Sequence, residues 1–272
     1  MRRAHWAALA LLATATAWGA TFALVKNVIR QMSPEAFIFW RFLAAGAILL
    51  AIALLRRSLT RAMLVPGVVL GVLIFGAYWA QTRGLMTISP SRSAFLTGLY
   101  VVLVPFFQRK ATWKAWVAAL LAMAGTAAMV GPVQGPAAIG DILTIICAVF
   151  SAGHVVYAAR VTTNDTATGL AAIQVLFVAT AAAPLALFAP AFTWTPGIIA
   201  AILFTAVVTT ALAFAALMWG QAHVTATEAA VILSFEPVAA AITSIAFYGE
   251  PVTAAFLIGA ALILGAMLLS QL

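Results

Sequence analysis

Charged residues in this chain come in short clusters, and the runs between the clusters stay apolar for stretches long enough to span a bilayer. A helix that crosses the hydrocarbon layer needs about 20 such residues, and no other common element uses apolar sequence at that length. Composition enforces the point. The 272 residues are 65% hydrophobic and 7% charged, whereas a soluble domain carries roughly 25% charged residues. No water-facing core hides that much apolar surface. The chain is therefore expected to be an all-α integral membrane protein, and ten spanning helices account for nearly its whole length, with no room for a separate soluble domain.

Pro, Gly and the charge clusters mark the breaks. They predict spans at 5–25, 34–55, 63–82, 93–108, 113–131, 140–159, 168–189, 196–219, 227–247 and 251–270. "SPE" at Ser33–Glu35 is a strong helix start, with a capping hydroxyl, a proline in the first turn and an acid at the positive end of the dipole. "GEPVT" at Gly249–Thr253 starts the tenth span in the same way. Arg2 and Arg3 precede an apolar run that continues to Val25. That run is too long for a cleaved leader and reads as the first span.

The net charge of +8 does not point to nucleic acid, because the bases lie between spans. They orient the chain instead. With the N-terminus in the cytoplasm, Arg2, Arg3, Arg56, Arg57, Arg61, Arg109, Lys110, Lys114 and Arg160 fall inside, against Lys26, Arg30, Arg83 and Arg92 outside. The positive-inside rule favours this arrangement. Ten spans return the C-terminus to the cytoplasm.

The two halves resemble each other. "WAQTRGLMTISPSRSAFLTGLYVVLVPFF" from Trp79 is similar to "AALMWGQAHVTATEAAVILSFEPVAAAIT" from Ala215; Gly84 aligns with Gly220, Ser89 with Thr225 and Ala94 with Ala230, each 136 residues apart. Gly19 matches Gly153 and Lys26 matches Arg160 at 134 residues, and Gly125 matches Gly265 at 140. The implied units are residues 1–135 and 136–272, each with five helices, within one membrane domain. Five is odd, so the second copy inserts upside down relative to the first. Inverted repeats mark secondary transporters whose site lies near the midplane, between the repeats.

The stretches "TAWGATFALVK", "GLMTISPSRSAFLTGL" and "SFEPVAAAITSIAFYGEPVTAAFLIGAALILGAMLL" resemble the drug/metabolite transporter superfamily. Within it the chain is similar to the EamA-type ten-helix exporters, and most to the aromatic amino acid exporters. The resemblance implies export of small metabolites, amino acids above all, across the bacterial inner membrane. It also implies a central cavity lined by helices 1, 3, 4, 6, 8 and 9, with helices 5 and 10 outside. A multidrug or nucleotide-sugar-like carrier of the same superfamily is the alternative, and an intramembrane enzyme or channel is less favoured. A channel needs a continuous polar stripe, which the chain lacks.

Candidate site residues follow. Glu236 alone among the acids is expected mid-span, where a charge costs about 2.5–3.5 kcal/mol on insertion scales. It reads as a contact for a substrate amine or a proton carrier, or else as a neutral acid bonded to a carbonyl freed by Pro237. Arg41 is the one base inside a span, and it either contacts substrate, pairs with Glu236, or reaches outward to the headgroups. His154 either meets a substrate carboxylate or bonds across helices. Trp18, Tyr78, Trp79, Tyr100, Tyr157 and Trp219 lie deep on helices that the resemblance assigns to the cavity, and either line it or pack. Trp6, Trp113, Trp116 and Trp194 lie at span ends and read as interface anchors. Pro105 and Pro237 are expected to interrupt helices 4 and 9, related by the duplication, and to serve as hinges or static kinks. Small-residue rows, Gly67–Gly71 and Gly259–Gly265, permit close helix contacts or pairing of protomers.

Cys147 is a lone cysteine in an apolar run, so no internal disulfide is available, and it reads as a small core residue. No metal-ligand cluster, phosphate-cradling loop or nucleophile–base pair is recognisable. The expected function uses no cofactor and no catalytic residue. The expected partners are a small-molecule substrate and the bilayer, with the protein a monomer or weak homo-oligomer.

Overall fold

The computed structural model describes residues 2–108, 112–130, 139–248 and 252–270. Every regular element among them is helical. Seven helical segments are long and apolar enough to cross a membrane, and three shorter apolar helices accompany them. The starts expected at Gly249–Pro251 and the bases Arg109 and Lys110 lie outside the described residues.

The first segment is α1 (Arg2–Gly19) followed by α2 (Phe22–Val28). Next come α3 (Pro34–Leu55), α4 (Leu64–Gly84), α5 (Pro90–Gly98), α6 (Tyr100–Gln108) and α7 (Trp113–Val130). The second half holds α8 (Ile139–Val161), α9 (Ala167–Leu187), α10 (Pro196–Ala206), α11 (Ala213–Gln221), α12 (Ala226–Leu233), α13 (Glu236–Tyr248) and α14 (Ala254–Ser270). Starts are capped as their sequences dictate. The Ser33 hydroxyl accepts from Ala36 N–H and Ser89 from Arg92 N–H, each with proline at the next position. Thr225 and Glu228 form a reciprocal capping box.

Four expected spans are not continuous α-helix. The first turns at Ala20–Thr21, where the Thr21 hydroxyl donates to the Trp18 carbonyl at 2.9 Å and so competes with the helix ladder. The eighth contains a π-helical stretch, Val207–Leu212, between α10 and α11. The ninth breaks at Ser234–Phe235, where the Ser234 hydroxyl donates to the Val231 carbonyl at 2.6 Å and Phe235 N–H reaches back only to Ile232. The fourth breaks at Leu99, and this corrects the expectation for Pro105. That proline sits inside α6, past the interruption. It removes the N–H that would bond the Val101 carbonyl, but the break precedes it. Pro237 is the second residue of α13, where its missing N–H would have no helical partner anyway.

The helix contacts form mirrored pairs across the two halves of the chain. α3 lies on α9 and α7 on α14, each against its own counterpart. The contact of α4 with α8 is mirrored by that of α11 with α1, and the contact of α5 and α6 with α8 by that of α12 and α13 with α1. Glycines make these approaches possible. A Cβ on Gly84 would meet the Gly140 carbonyl of α8 at 2.9 Å, and one on its counterpart Gly220 would meet Leu11 of α1 at 2.8 Å. Gly67 and Gly71 seat α4 on Ile173 and Phe177 of α9. Gly125 faces the Gly259 carbonyl where α7 crosses α14, while Gly265 meets nothing close. Large apolar side chains such as Leu55, Leu187, Phe188 and Leu268 remain exposed around the bundle, the surface expected of a chain solvated by lipid.

Candidate functional site

A cavity opens between the two halves near the three broken segments and the π stretch. Its volume is about 80 Å³, small beside the roughly 300–1,000 Å³ of a typical small-molecule site. In this conformation it is too small for a metabolite. Trp18, Tyr78, Tyr100, His154, Glu236 and Arg41 all line it. Trp79, Tyr157 and Trp219 do not. Trp79 borders a separate recess with Glu35 and Arg83, Tyr157 packs on the apolar core, and Trp219 lies tilted against His223 with ring centroids 4.8 Å apart.

Glu236 is 9% exposed and opens α13 directly after the break. Among the described residues no side chain donates to its carboxyl group and no base pairs with it. Its backbone carbonyl lies against Gly19, where any Cβ would collide with it and would also meet Ala239 Cβ at 2.9 Å. Glycine at that position is what allows α1 to seat against α13.

The π stretch builds the other polar pole, and it was not anticipated from the sequence. Thr209 and Thr210 both turn their hydroxyls back to the Thr205 carbonyl, at 3.1 and 2.9 Å. Ala213 N–H bonds Val208 and Thr210 carbonyls rather than that of Thr209. The Thr209 carbonyl is thus left for lateral donors, and it receives Trp18 Nε1 at 2.9 Å and Arg41 Nη2 at 3.1 Å. The signal in the sequence was the adjacent threonine pair inside a span, since back-bonding hydroxyls bend helices.

Arg41 corrects two expectations. It is 4% exposed, so it does not reach outward to a headgroup. Nor does it pair with Glu236; its Nε donates to Thr210 Oγ1 at 2.7 Å and its Nη2 to Thr209 Oγ1 at 2.9 Å. It comes from α3, the second segment, which the family resemblance leaves out of the cavity wall. The Tyr78 ring lies 5.0 Å from the guanidinium carbon, within cation–π range. Phe42 and Phe214 extend this aromatic group, with Tyr78 edge-on to Phe42 at 4.8 Å and Trp18 tilted against Phe214 at 5.8 Å.

Several other polar lining residues already have partners. His154 Nε2 lies 2.7 Å from Gln174 Oε1, a bond across helices. Gln81 Nε2 donates to Thr97 Oγ1 at 2.9 Å. Tyr100 hydroxyl reaches the Ala230 carbonyl of α12 at 3.5 Å. Cys147 is buried and lies 3.7 Å from Ser151 Oγ.

The two ends of the bundle differ. At one end Arg83 pairs with Glu35 at 2.5 Å and Arg92 with Asp141 at 2.6 Å. Lys26 there donates to the Leu85 and Ile88 carbonyls, tying α2 to the turn between α4 and α5. At the other end lies a wider recess of about 830 Å³, edged by Gln108, Lys114, Arg160, Gln221 and His223. No ion pair bridges it among the described residues.

Comparison with known proteins now adds to this geometry. The sequence model of the EamA-like transporter family matches twice, over residues 5–131 and 138–271. An uncharacterized transporter of Archaeoglobus fulgidus is 31% identical, over 98% of this chain and 86% of its own length. A solved crystal structure superposes with a TM-score of 0.81 at 21% identity, covering 97% of this chain and 96% of that one; at that identity the likeness concerns the fold.

Proposed function

The chain belongs to the EamA-like transporter family of multi-pass membrane transporters, and from that premise we propose that it is a secondary exporter of amino acids and related small metabolites, aromatic or neutral apolar ones favoured. One observation carries the reading. A buried carboxyl group, Glu236, opens into the cavity with no partner of its own among the described residues, while Trp18, Tyr78 and Tyr100 share the wall. An unspent acid in an apolar surround suits an amine, and aromatic walls suit an apolar or aromatic body.

The proposed mechanism is alternating access between two inverted halves, residues 1–135 and 136–272. The mirrored helix contacts and the double family match support it. The present cavity must widen to admit a substrate. The ion-paired end then separates while the opposite end closes, with the breaks in the fourth and ninth segments as places where the backbone has few bonds to lose. On the count of bases the N- and C-termini lie in the cytoplasm of a bacterial inner membrane, so the ion-paired end faces outward. A multidrug carrier is the second reading, because one acid among aromatics also suits a cationic dye.

Proteoliposome flux separates the two. Labelled phenylalanine, methionine and threonine and a cationic dye are loaded separately. Phenylalanine is expected to move fastest, and to slow with Glu236→Gln. Dye flux with every amino acid retained in the vesicles defeats the amino acid reading in favour of the second. Repeating the assay under an imposed pH gradient tests coupling, and a pH response unchanged by Glu236→Gln removes that residue from the energy-coupling step.

A further inference from the structure

We propose that Arg41, held by the π-helical threonines Thr209 and Thr210, is an anion subsite that binds the carboxylate of the transported molecule. The proposal rests on the transport reading of the same cavity and deepens it, since it makes an anionic group a requirement rather than a tolerated feature.

The geometry is specific. A guanidinium carries five N–H donors in a rigid planar fork. Nε gives its one N–H to Thr210 Oγ1, and Nη2 gives its two to the hydroxyl and the carbonyl of Thr209. These three bonds lock the plane and orientation of the head group. Nη1 makes none of them, and Arg41 lines the cavity. Among the described residues the ion pairs are Arg83 with Glu35 and Arg92 with Asp141, so no carboxylate neutralises Arg41.

Threonine hydroxyls and the rings of Tyr78, Phe42 and Phe37, at 5.0, 5.6 and 5.8 Å, solvate the charge without cancelling it. Arginine keeps its proton in proteins. Ionisable groups within a span pair with one another or mark a substrate path. The missing counter-charge is thus left for the cavity's occupant. The N–H groups that those three bonds leave over are the two on Nη1; they diverge, so a carboxylate meets Arg41 through one charge-assisted hydrogen bond beside the Tyr78 ring, with the uncancelled charge supplying the rest of the attraction.

The same cavity holds the unpartnered acid Glu236 on the opposite half's broken helix. One pole of each sign, with aromatic rings between, describes a zwitterion with an apolar body. Arg41 comes from the first half and its threonines from the second. The anion site is therefore assembled across the interface that alternating access must rearrange.

The test uses the purified full-length protein in detergent and four probes that differ only in their charged groups. They are phenylalanine, phenylalaninamide, phenethylamine and 3-phenylpropionate. Binding is read as the shift in thermal midpoint with probe concentration and as quenching of tryptophan emission. Phenylalanine and 3-phenylpropionate are expected to bind the wild type. Arg41→Gln is expected to weaken both by about 10-fold to 100-fold while leaving phenethylamine unchanged. Arg41→Lys, which keeps the charge but loses the fork, is expected to recover part of the loss. Glu236→Gln is expected to weaken phenethylamine and spare 3-phenylpropionate.

Should Arg41→Gln not fold, the wild-type ranking of acids over amides decides the matter. Equal binding of phenylalaninamide and phenylalanine, or no response to 3-phenylpropionate, overturns the anion subsite and leaves the exporter reading standing. Binding of 3-phenylpropionate that depends on Arg41, with phenylalanine neither bound nor transported, supports the subsite and defeats the amino acid reading. A purely structural arginine would lower stability with all four probes shifted alike, and that result also overturns the proposal.

Discussion

The fourth and ninth segments break at corresponding places but present different groups there. Tyr100 is the first residue of α6 and Glu236 the first residue of α13, and they lie 136 residues apart, the same offset that relates Gly84 to Gly220. The prolines do not share that register. Pro105 is well inside α6, whereas Pro237 directly follows Glu236. The two interruptions therefore share a register that the prolines do not, and proline is an accessory to them. What diverged is the side chain at the break. A phenol that spends its hydroxyl on the Ala230 carbonyl stands against a carboxyl group that has no partner among the described residues. The backbone breaks in the same register in both segments, and the differing side chains give the cavity its polarity.

This contrast is open to direct attack, starting where the effect is largest. Glu236→Gln is expected to lower phenylalanine flux about tenfold or more, the scale of one hydrogen bond to a charged group. Tyr100→Phe loses a long bond across helices, and its expected effect on flux is less than about threefold. Equal losses in a side-by-side vesicle assay would erase the functional difference between the breaks.

The glycines on the two sides of the cavity make a second pair. Gly19→Ala drives a methyl group into the Glu236 carbonyl and Ala239, and is expected to destabilise the detergent-solubilised protein by about 1–3 kcal/mol. Gly98→Ala meets only Thr126 Cγ2 at 3.6 Å, an ordinary contact, and is expected to change stability by no more than about 0.5 kcal/mol. Unfolding midpoints measured by scanning fluorimetry check both.

The prolines give the smallest contrast. Pro105→Ala restores an N–H inside α6 for the Val101 carbonyl, and is expected to add about 1 kcal/mol. Pro237→Ala restores one in the first turn of α13, where helical N–H groups lack partners, and the midpoint is expected to stay within about 0.5 kcal/mol of wild type. A larger effect from Pro237 than from Pro105 would make proline, rather than the shared backbone, the cause of the ninth-segment break.

The legible part of this protein is the part that depends on solvent. Long apolar runs leave helices in a bilayer as the only way to satisfy the backbone, and Ser33–Pro34 and Thr225–Glu228 announce helix starts by chemistry local to each turn. Glu236 stood out for the same reason, as an acid where acids are expensive. The π stretch was hidden, because Thr209–Thr210 reads as two more small residues until two helices from the other half, α1 and α3, supply Trp18 and Arg41 as donors. Trp79, Tyr157 and Trp219 show the converse. Their depth in a span was visible, but the face each one presents depends on how its helix is rotated in the bundle, and all three stand outside the cavity.

Sequence alone thus determined the membrane class, the succession of apolar segments and the residues costly enough to need a reason. Tertiary structure alone decided which of those residues share a cavity and which already have partners. Apolar periodicity in lipid carries almost no facing information, since every side of a span is greasy, and only packing against the other half turns a costly residue inward and leaves its charge unspent.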